Sequence, residues 1–598
     1  MPVPTDAWVK IGAATTPVFS KDGRTLFHLR GAGLPQVWAM DINGGDVRQL
    51  SHHDEKVAFL RRCPTDDRLI WGIDAGGDER QQFWLLEVGA KPRALTAAPD
   101  AIHDFGVWSA DGARIAYAAN DRDERFYDVC VMDLASGART RLLEGSSILT
   151  VPSWTKDMAR LLVIEDHSSA DSRLWIMDAA TGAVRTLPRV APARFAAVRW
   201  VEKGAALMGL SDTGADMMRL CRIDPETGAS TVVFEAQDSE GQGRDVEAWS
   251  MSPDETMLAT IENDRGYAVL RVGPTNSERP VVAGLPAGIV ADLNWAPDNA
   301  ALAFTVEGPT TPPGIWLWRS GEAAPIPGED PLVPSGIDRD SLVEPVLVEW
   351  TSFDGMRIAG WYAQPRGAAP AGGFPAVMWV HGGPAMQSRA NFRPDIQMLL
   401  SQGFAVLMPN SRGSTGYGRA FMLADEVEKR PDFMEDLAAG RAWLAVQPNV
   451  DPNRIGIMGQ SYGGWAVLAA VTLQPDLWKA AVNFYGIADF VTLLERTSPW
   501  RRDHRAREYG FPGTNDDLFR KISPIHHIDR VVAPMLLLHG DRDPRVPMHE
   551  SEQFSEAMAL RQKKVAYERF TYAGHGFIRP DHRRRVYASV AAHFREHL

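Results

Sequence analysis

At 598 residues the chain is too long to fold around one hydrophobic core, and a 45% hydrophobic content lets each of two domains bury its own. Asp plus Glu number 76 against 63 Lys plus Arg, and the net charge of −13 argues against nucleic acid or an anionic membrane as partner. Cys63, Cys130 and Cys221 are the three cysteines, without CxxC spacing or a disulfide framework, so buried reduced thiols are expected.

The N-terminus, through Trp8, lacks a basic region followed by an apolar run, and it leaves little room for an extra helix against a second domain. No stretch of about 18 uninterrupted apolar residues follows. The cytoplasm is therefore the default location.

The first half of the chain repeats itself. Tetrapeptides beginning at Phe19, Arg62, Trp108, Trp154, Trp200, Met251 and Trp295 recur 43 to 51 residues apart, the length of a four-stranded blade. Alternating strands follow, such as Val129–Asp133 and Leu174–Asp178, and turns such as Ala135-Ser136-Gly137. Seven units predict a seven-bladed β-propeller over residues 1–330, with the tryptophans as blade core. A Pro/Gly/Asp-rich stretch without periodicity then places a linker at 331–345.

Residues 346–598 read as a doubly wound, mostly parallel α/β-hydrolase sheet that begins at Val346–Trp350. The segment 367–373 is a surface loop between strands. Phe374–Val380 is an apolar strand ending in His381-Gly382-Gly383-Pro384, and Phe404–Pro409 is another. Arg454–Met458 reads as a buried strand and Trp465–Ala470 as a helix start. Between them lies Gly459-Gln460-Ser461-Tyr462-Gly463-Gly464, a G-x-S-x-G nucleophile elbow whose glycines leave room for a sharp turn.

A serine hydroxyl needs a base to take its proton and an acid to orient that base, and in this fold they follow in the order acid, then histidine. After the apolar strand Pro534–Leu538, the spacing H-G-x-x-D-x-x-V-P selects Asp543 as the acid. Asp541 reads as a loop cap or solvated carboxylate. After the alternating strand Val565–Phe570, His575 stands between glycines and is the expected base. The backbone N–H groups of Tyr462 and Gly383 are the expected oxyanion donors. No metal or organic cofactor is required.

The HGGP loop at 381–384, the run Asn410–Gly418, the GQSYGG elbow, HGDRDPRVP at 539–547 and AGHGF at 573–577 together resemble the prolyl oligopeptidase family of serine peptidases. More narrowly, they resemble its acylaminoacyl-peptidase branch. The resemblance spans most of residues 340–598. It implies a propeller that covers the active site and limits substrates to short or unstructured peptides, and it carries Ser461, Asp543 and His575 over as the triad.

By the same resemblance Glu79 pairs with Arg545 at the active-site mouth, and Ile487 and Phe490 line an apolar primary pocket. The nearby Arg501, Arg502, Arg505 and Arg507 read as a solvated helix face; the alternative puts one arginine in the pocket, favouring an acidic group. The expected function is hydrolysis of short peptides, acylated or free at the N-terminus. Esterase or amidase action on small acyl compounds is the alternative, and an inactive binding scaffold a remote third. Short or acylated peptides are the expected partners, and a homo-oligomer stays open.

Overall fold

A computed structural model describes residues 3–87, 89–328 and 330–598; Met1 and Pro2 of the N-terminal segment, with Val88 and Glu329, lie outside the described residues. Among the described residues, 13–325 form seven antiparallel blade sheets in chain order, with a two-stranded ribbon, Ala236–Gln237 and Gly243–Arg244, between the fifth and the sixth. Six of them have four strands and the sixth blade has three, with the bridge Arg271–Val281 in place of its outer strand. The first strands of neighbouring sheets touch one another and so line the axis of a seven-bladed propeller.

The recurring tetrapeptides sit where each first strand ends. Ser109 Oγ and the N–H of Ala113 both donate to Asp111, and Ser20 with Asp22 and Ser252 with Asp254 repeat the arrangement. In these turns a short polar side chain bonds the backbone of its own loop. The tryptophans are core, as the repeat predicts: Trp108, Trp154 and Trp295 are each 7% exposed, whereas Trp200 is half-buried. An arginine of the preceding blade covers three of these rings at 4.6–5.6 Å, Arg68 on Trp108, Arg114 on Trp154 and Arg160 on Trp200.

Among the described residues the ring closes, like its other junctions, without a ladder between blades. Instead Asp292 and Asn294 of the last blade accept the N–H groups of Thr16 and Phe19 at 3.0 Å each, over an apolar layer of Phe19, Leu26, Ala303 and Leu317.

The second sheet has eight strands in the order Val346–Thr351, Arg357–Ala363, Ala405–Asn410, Phe374–Val380, Val450–Gln460, Ala481–Phe484, Met535–Gly540 and Val565–Phe570. Arg357–Ala363 pairs antiparallel with both its neighbours, and the five remaining pairings are parallel. Alternate residues serve opposite layers. Met378 and Ile457 face the helices Arg430–Ala445, Tyr462–Leu473 and His549–Leu560, whereas Trp379 and Met458 face Pro394–Ser401 and Pro580–His597.

The start of the chain departs from the expected division. Residues 7–11 belong to the propeller segment by position, yet Trp8, Val9 and Ile11 are buried in the hydrolase core against the two helices last named, with Leu332 and Ile337 beside them. A single 3-10 turn, Ala7–Lys10, suffices to cover that apolar surface. Trp8→Ala should therefore lower stability by about 3–5 kcal/mol, measured as a lower urea midpoint for loss of activity. A wild-type midpoint would show these residues to be a dispensable appendage.

Candidate active site

Three loops leave the same edge of the parallel sheet, where strand carboxyl ends leave a crevice. Ser461 follows the strand ending at Gln460, Asp543 the strand ending at Gly540, and His575 the strand ending at Phe570.

Ser461 has φ 58° and ψ −119° and caps the helix Tyr462–Leu473, so the chain reverses within one residue. No side chain could replace the neighbouring glycines. A Cβ on Gly459 would fall 2.4 Å from Gly463 O, one on Gly463 2.2 Å from Val380 O, and one on Gly464 2.6 Å from Gly486 Cα. The N–H of Tyr462 lies at the first helical position, where no intrahelical acceptor exists. Its phenol is anchored in the core, donating to Asp425 Oδ2 at 2.8 Å and accepting from Arg430 Nη1 at 2.6 Å.

His575 Nδ1 lies 2.7 Å from Asp543 Oδ2, and the other carboxylate oxygen accepts the N–H groups of Arg545 at 2.8 Å and Val546 at 3.0 Å. Burial alone would raise the Asp543 carboxyl. The charge of His575 and the hydrogen bonds from His539 and His575 outweigh it and hold the group well below the usual carboxylate range. Asp541 caps the base loop by accepting the N–H of Tyr572 at 2.7 Å. The Tyr485 ring packs 4.5 Å from that of His575, and its hydroxyl reaches Gln460 Oε1 at 3.2 Å, beside Ser461.

Gly383 lines one cavity together with Ser461. The run Asn410–Gly418 braces its loop: Asn410 Oδ1 accepts from Ser388 N, the N–H of Thr415 donates to Met386 O, and Ser414 Oγ bonds His381 Nε2. Burial lowers the pKa of His381 to about 4, so its ring is neutral.

The remaining expected residues divide. Arg545 Nε meets Glu79 Oε1 at 2.5 Å, across the domain boundary. Ile487 lines the Ser461 cavity. Phe490 does not; it is fully buried one layer behind, against Trp465, Tyr509 and Phe519, because its helix turns that side inward. The basic run is not one solvated face either. Arg502 and Arg507 are exposed, but Arg501 and Arg505, four apart and so on one side of the helix Pro499–Tyr509, line the cavity with Ser461.

Two further residues to which the sequence assigned no role, His539 of the acid-loop motif and Glu550, complete the site. His539 backs Asp543, held by Ser551 Oγ at 2.8 Å and Val546 O at 2.9 Å. Buried Glu550 accepts the N–H groups of Ala488 and Asp489 and so fixes the loop that carries Ile487; burial pushes its pKa up to about 7.

The propeller reaches this site through a loop of its second blade. Arg542 Nη1 donates to Ala75 O, and a Cβ on Gly574 would fall 1.8 Å from Gly77 O, so two backbones touch where a side chain would hold them apart. The Glu79–Arg545 pair in this contact is partly exposed, which limits its worth to about 1 kcal/mol. Glu79→Gln should accordingly lower kcat/KM by about fivefold at most; unchanged kinetics with unchanged stability would exclude the pair from any role.

The sequence profile of the Prolyl oligopeptidase family matches residues 390–598. Dipeptidyl aminopeptidase BIII of Pseudoxanthomonas mexicana is 27% identical over 94% of this chain and 84% of its own. The acylamino-acid-releasing enzyme of Mus musculus is 24% identical over 77% of this chain and 60% of its own. A crystal structure of puromycin hydrolase shares the whole two-domain fold at TM-score 0.87 and 21% identity, covering 100% of this chain and 96% of that one. Residues 390–598 thus carry a prolyl oligopeptidase family domain, the mark of a serine peptidase.

Proposed function

We propose that Ser461, His575 and Asp543 are the catalytic triad of a peptidase that cleaves short peptides through an acyl-enzyme. The observation that carries this reading is the 2.7 Å contact between His575 Nδ1 and Asp543, on the same sheet edge as the strained turn at Ser461. With Nδ1 engaged, Nε2 is the ring nitrogen left to take the serine proton. Ser461 Oγ then attacks the scissile carbonyl, and the oxyanion that forms receives the N–H groups of Tyr462 and Gly383. His575 gives its proton to the leaving amine and afterwards activates the water that releases the acyl group. Asp543, ionised across the working pH range, holds the tautomer and stabilises the imidazolium.

The substrates on this reading are short or extended peptides, because the second-blade loop presses on the acid and base loops and blades five to seven also contact the hydrolase domain. Arg419 pairs with Asp212 at 2.8 Å, Arg389 with Glu247 at 2.7 Å, and the N–H of Phe392 donates to Glu307. An N-terminal acyl group is the first expectation. Release of dipeptides from a free N-terminus is the second reading, favoured by the end-to-end alignment with a dipeptidyl aminopeptidase. Esterase action on small acyl compounds uses the same triad. Three buried free thiols suit a reducing compartment, and the cytoplasm is the proposed location.

Ser461→Ala should abolish labelling by a fluorophosphonate, and Asp543→Asn should lower kcat by about 10⁴ with the fold intact. Residual stoichiometric labelling of Ser461→Ala would place the nucleophile elsewhere. Rapid digestion of a folded globular protein would defeat the cap.

A further inference from the structure

The cavity beside Ser461 has an apolar side formed by Ile487, Leu493 and Val546, and a side built from three guanidinium groups, those of Arg501, Arg505 and Arg545. Two carboxylates answer them. Glu508 lies 2.5 Å from Arg505, and Glu79 meets Arg545. Among the described residues no carboxylate lies within ion-pair distance of Arg501. Its Nε is buried without an acceptor, and its guanidinium lies over the ring of Trp500, 5.0 Å from the centroid.

The far side of the helix does not supply the missing charge. There Arg501 and Arg505 line a second cavity with Asp166, Arg194 and His504, and the cationic groups that act on Asp166 are Arg194 and, less strongly, His167. Burial, with Arg505 and Arg545 adding to it, lowers the pKa of Arg501 to about 10, which leaves it charged at neutral pH. Arg501 is half-buried; a cation removed from water without a partner is costly, and a planar fork of donors suits a carboxylate better than any neutral group.

We propose that Arg501, flanked by Arg505 and Arg545, binds a carboxylate of the substrate, so that the enzyme selects carboxylate-bearing peptides over their neutral isosteres. The proposal rests on Ser461 being the nucleophile. The carboxylate could belong to an acidic side chain on the residue that acylates Ser461, or to the free C-terminus of a short leaving group. Both place one negative charge against the one unbalanced positive charge.

Two substrate pairs test it on the full-length enzyme. One compares acetyl-Ala-Glu-p-nitroanilide with the Gln analogue; the other compares acetyl-Ala-Phe-Ala carrying a free C-terminal carboxylate with its C-terminal amide. The expected result is a ratio of kcat/KM, acid over neutral, of about tenfold or more in one pair, as for a hydrogen bond to a charged group. That pair identifies the source of the carboxylate. Arg501→Met should bring the ratio close to one, and Arg501→Lys should keep part of it. Ratios near one in both wild-type pairs overturn the proposal, as does an Arg501→Met variant that slows acid and neutral substrates equally. A wild-type enzyme that cleaves the neutral peptides without preference defeats this inference alone. One that cleaves none and takes no fluorophosphonate label defeats the reading of Ser461 as well.

Discussion

Ser461 holds a backbone conformation, φ 58° and ψ −119°, that residues with side chains avoid at a cost of about 1–3 kcal/mol. Nothing around it can relax the turn. Gly459, Gly463 and Gly464 press on Gly463 O, Val380 O and Gly486, so strand, helix and the neighbouring loop are locked by backbone contact. Every other part of the site is measured from that fixed point. The Tyr462 N–H takes its direction from it, and the Gly383 loop packs so close that a Cβ on Gly382 would lie 3.2 Å from Ser461 Cβ.

Around this turn the protein adds layers of support with no chemistry of their own. Ser551 and Val546 hold His539, which backs Asp543; Glu550 holds the loop of Ile487; Ser414 holds His381. Each support is a buried polar group whose partners are largely satisfied, which rigidifies where a half-satisfied group would destabilise. The same logic run backwards singles out Arg501, whose guanidinium lacks the partner that the others have.

The blade period, the sheet strands and the placing of Ser461, Asp543 and His575 in loops at one sheet edge were legible in the sequence because each rests on a local signal: a repeated turn, a period of two, a glycine-flanked histidine. What stayed hidden depends on packing between distant segments. Arg501 and Arg505 sit in a helix whose arginines suggest solvent, and only its seat over Ser461 turns one side inward; their four-residue spacing was the available hint. Phe490 is as apolar as a pocket residue should be, and sequence carries nothing to tell the wall of a cavity from the layer behind it. Likewise Trp8 is separated by more than 300 residues from the helices it covers, and no periodicity spans such a gap.

The join between the first and last blades is the junction of the ring that no blade-to-blade stretch of chain crosses. Elsewhere the chain runs on from one blade to the next, whereas here side chains of Asp292 and Asn294 bond to Thr16 and Phe19 over one apolar layer. The propeller is in effect a split washer. Parting it at this slit would cost the side-chain bonds and the apolar layer but no sheet ladder and no length of chain between neighbouring blades.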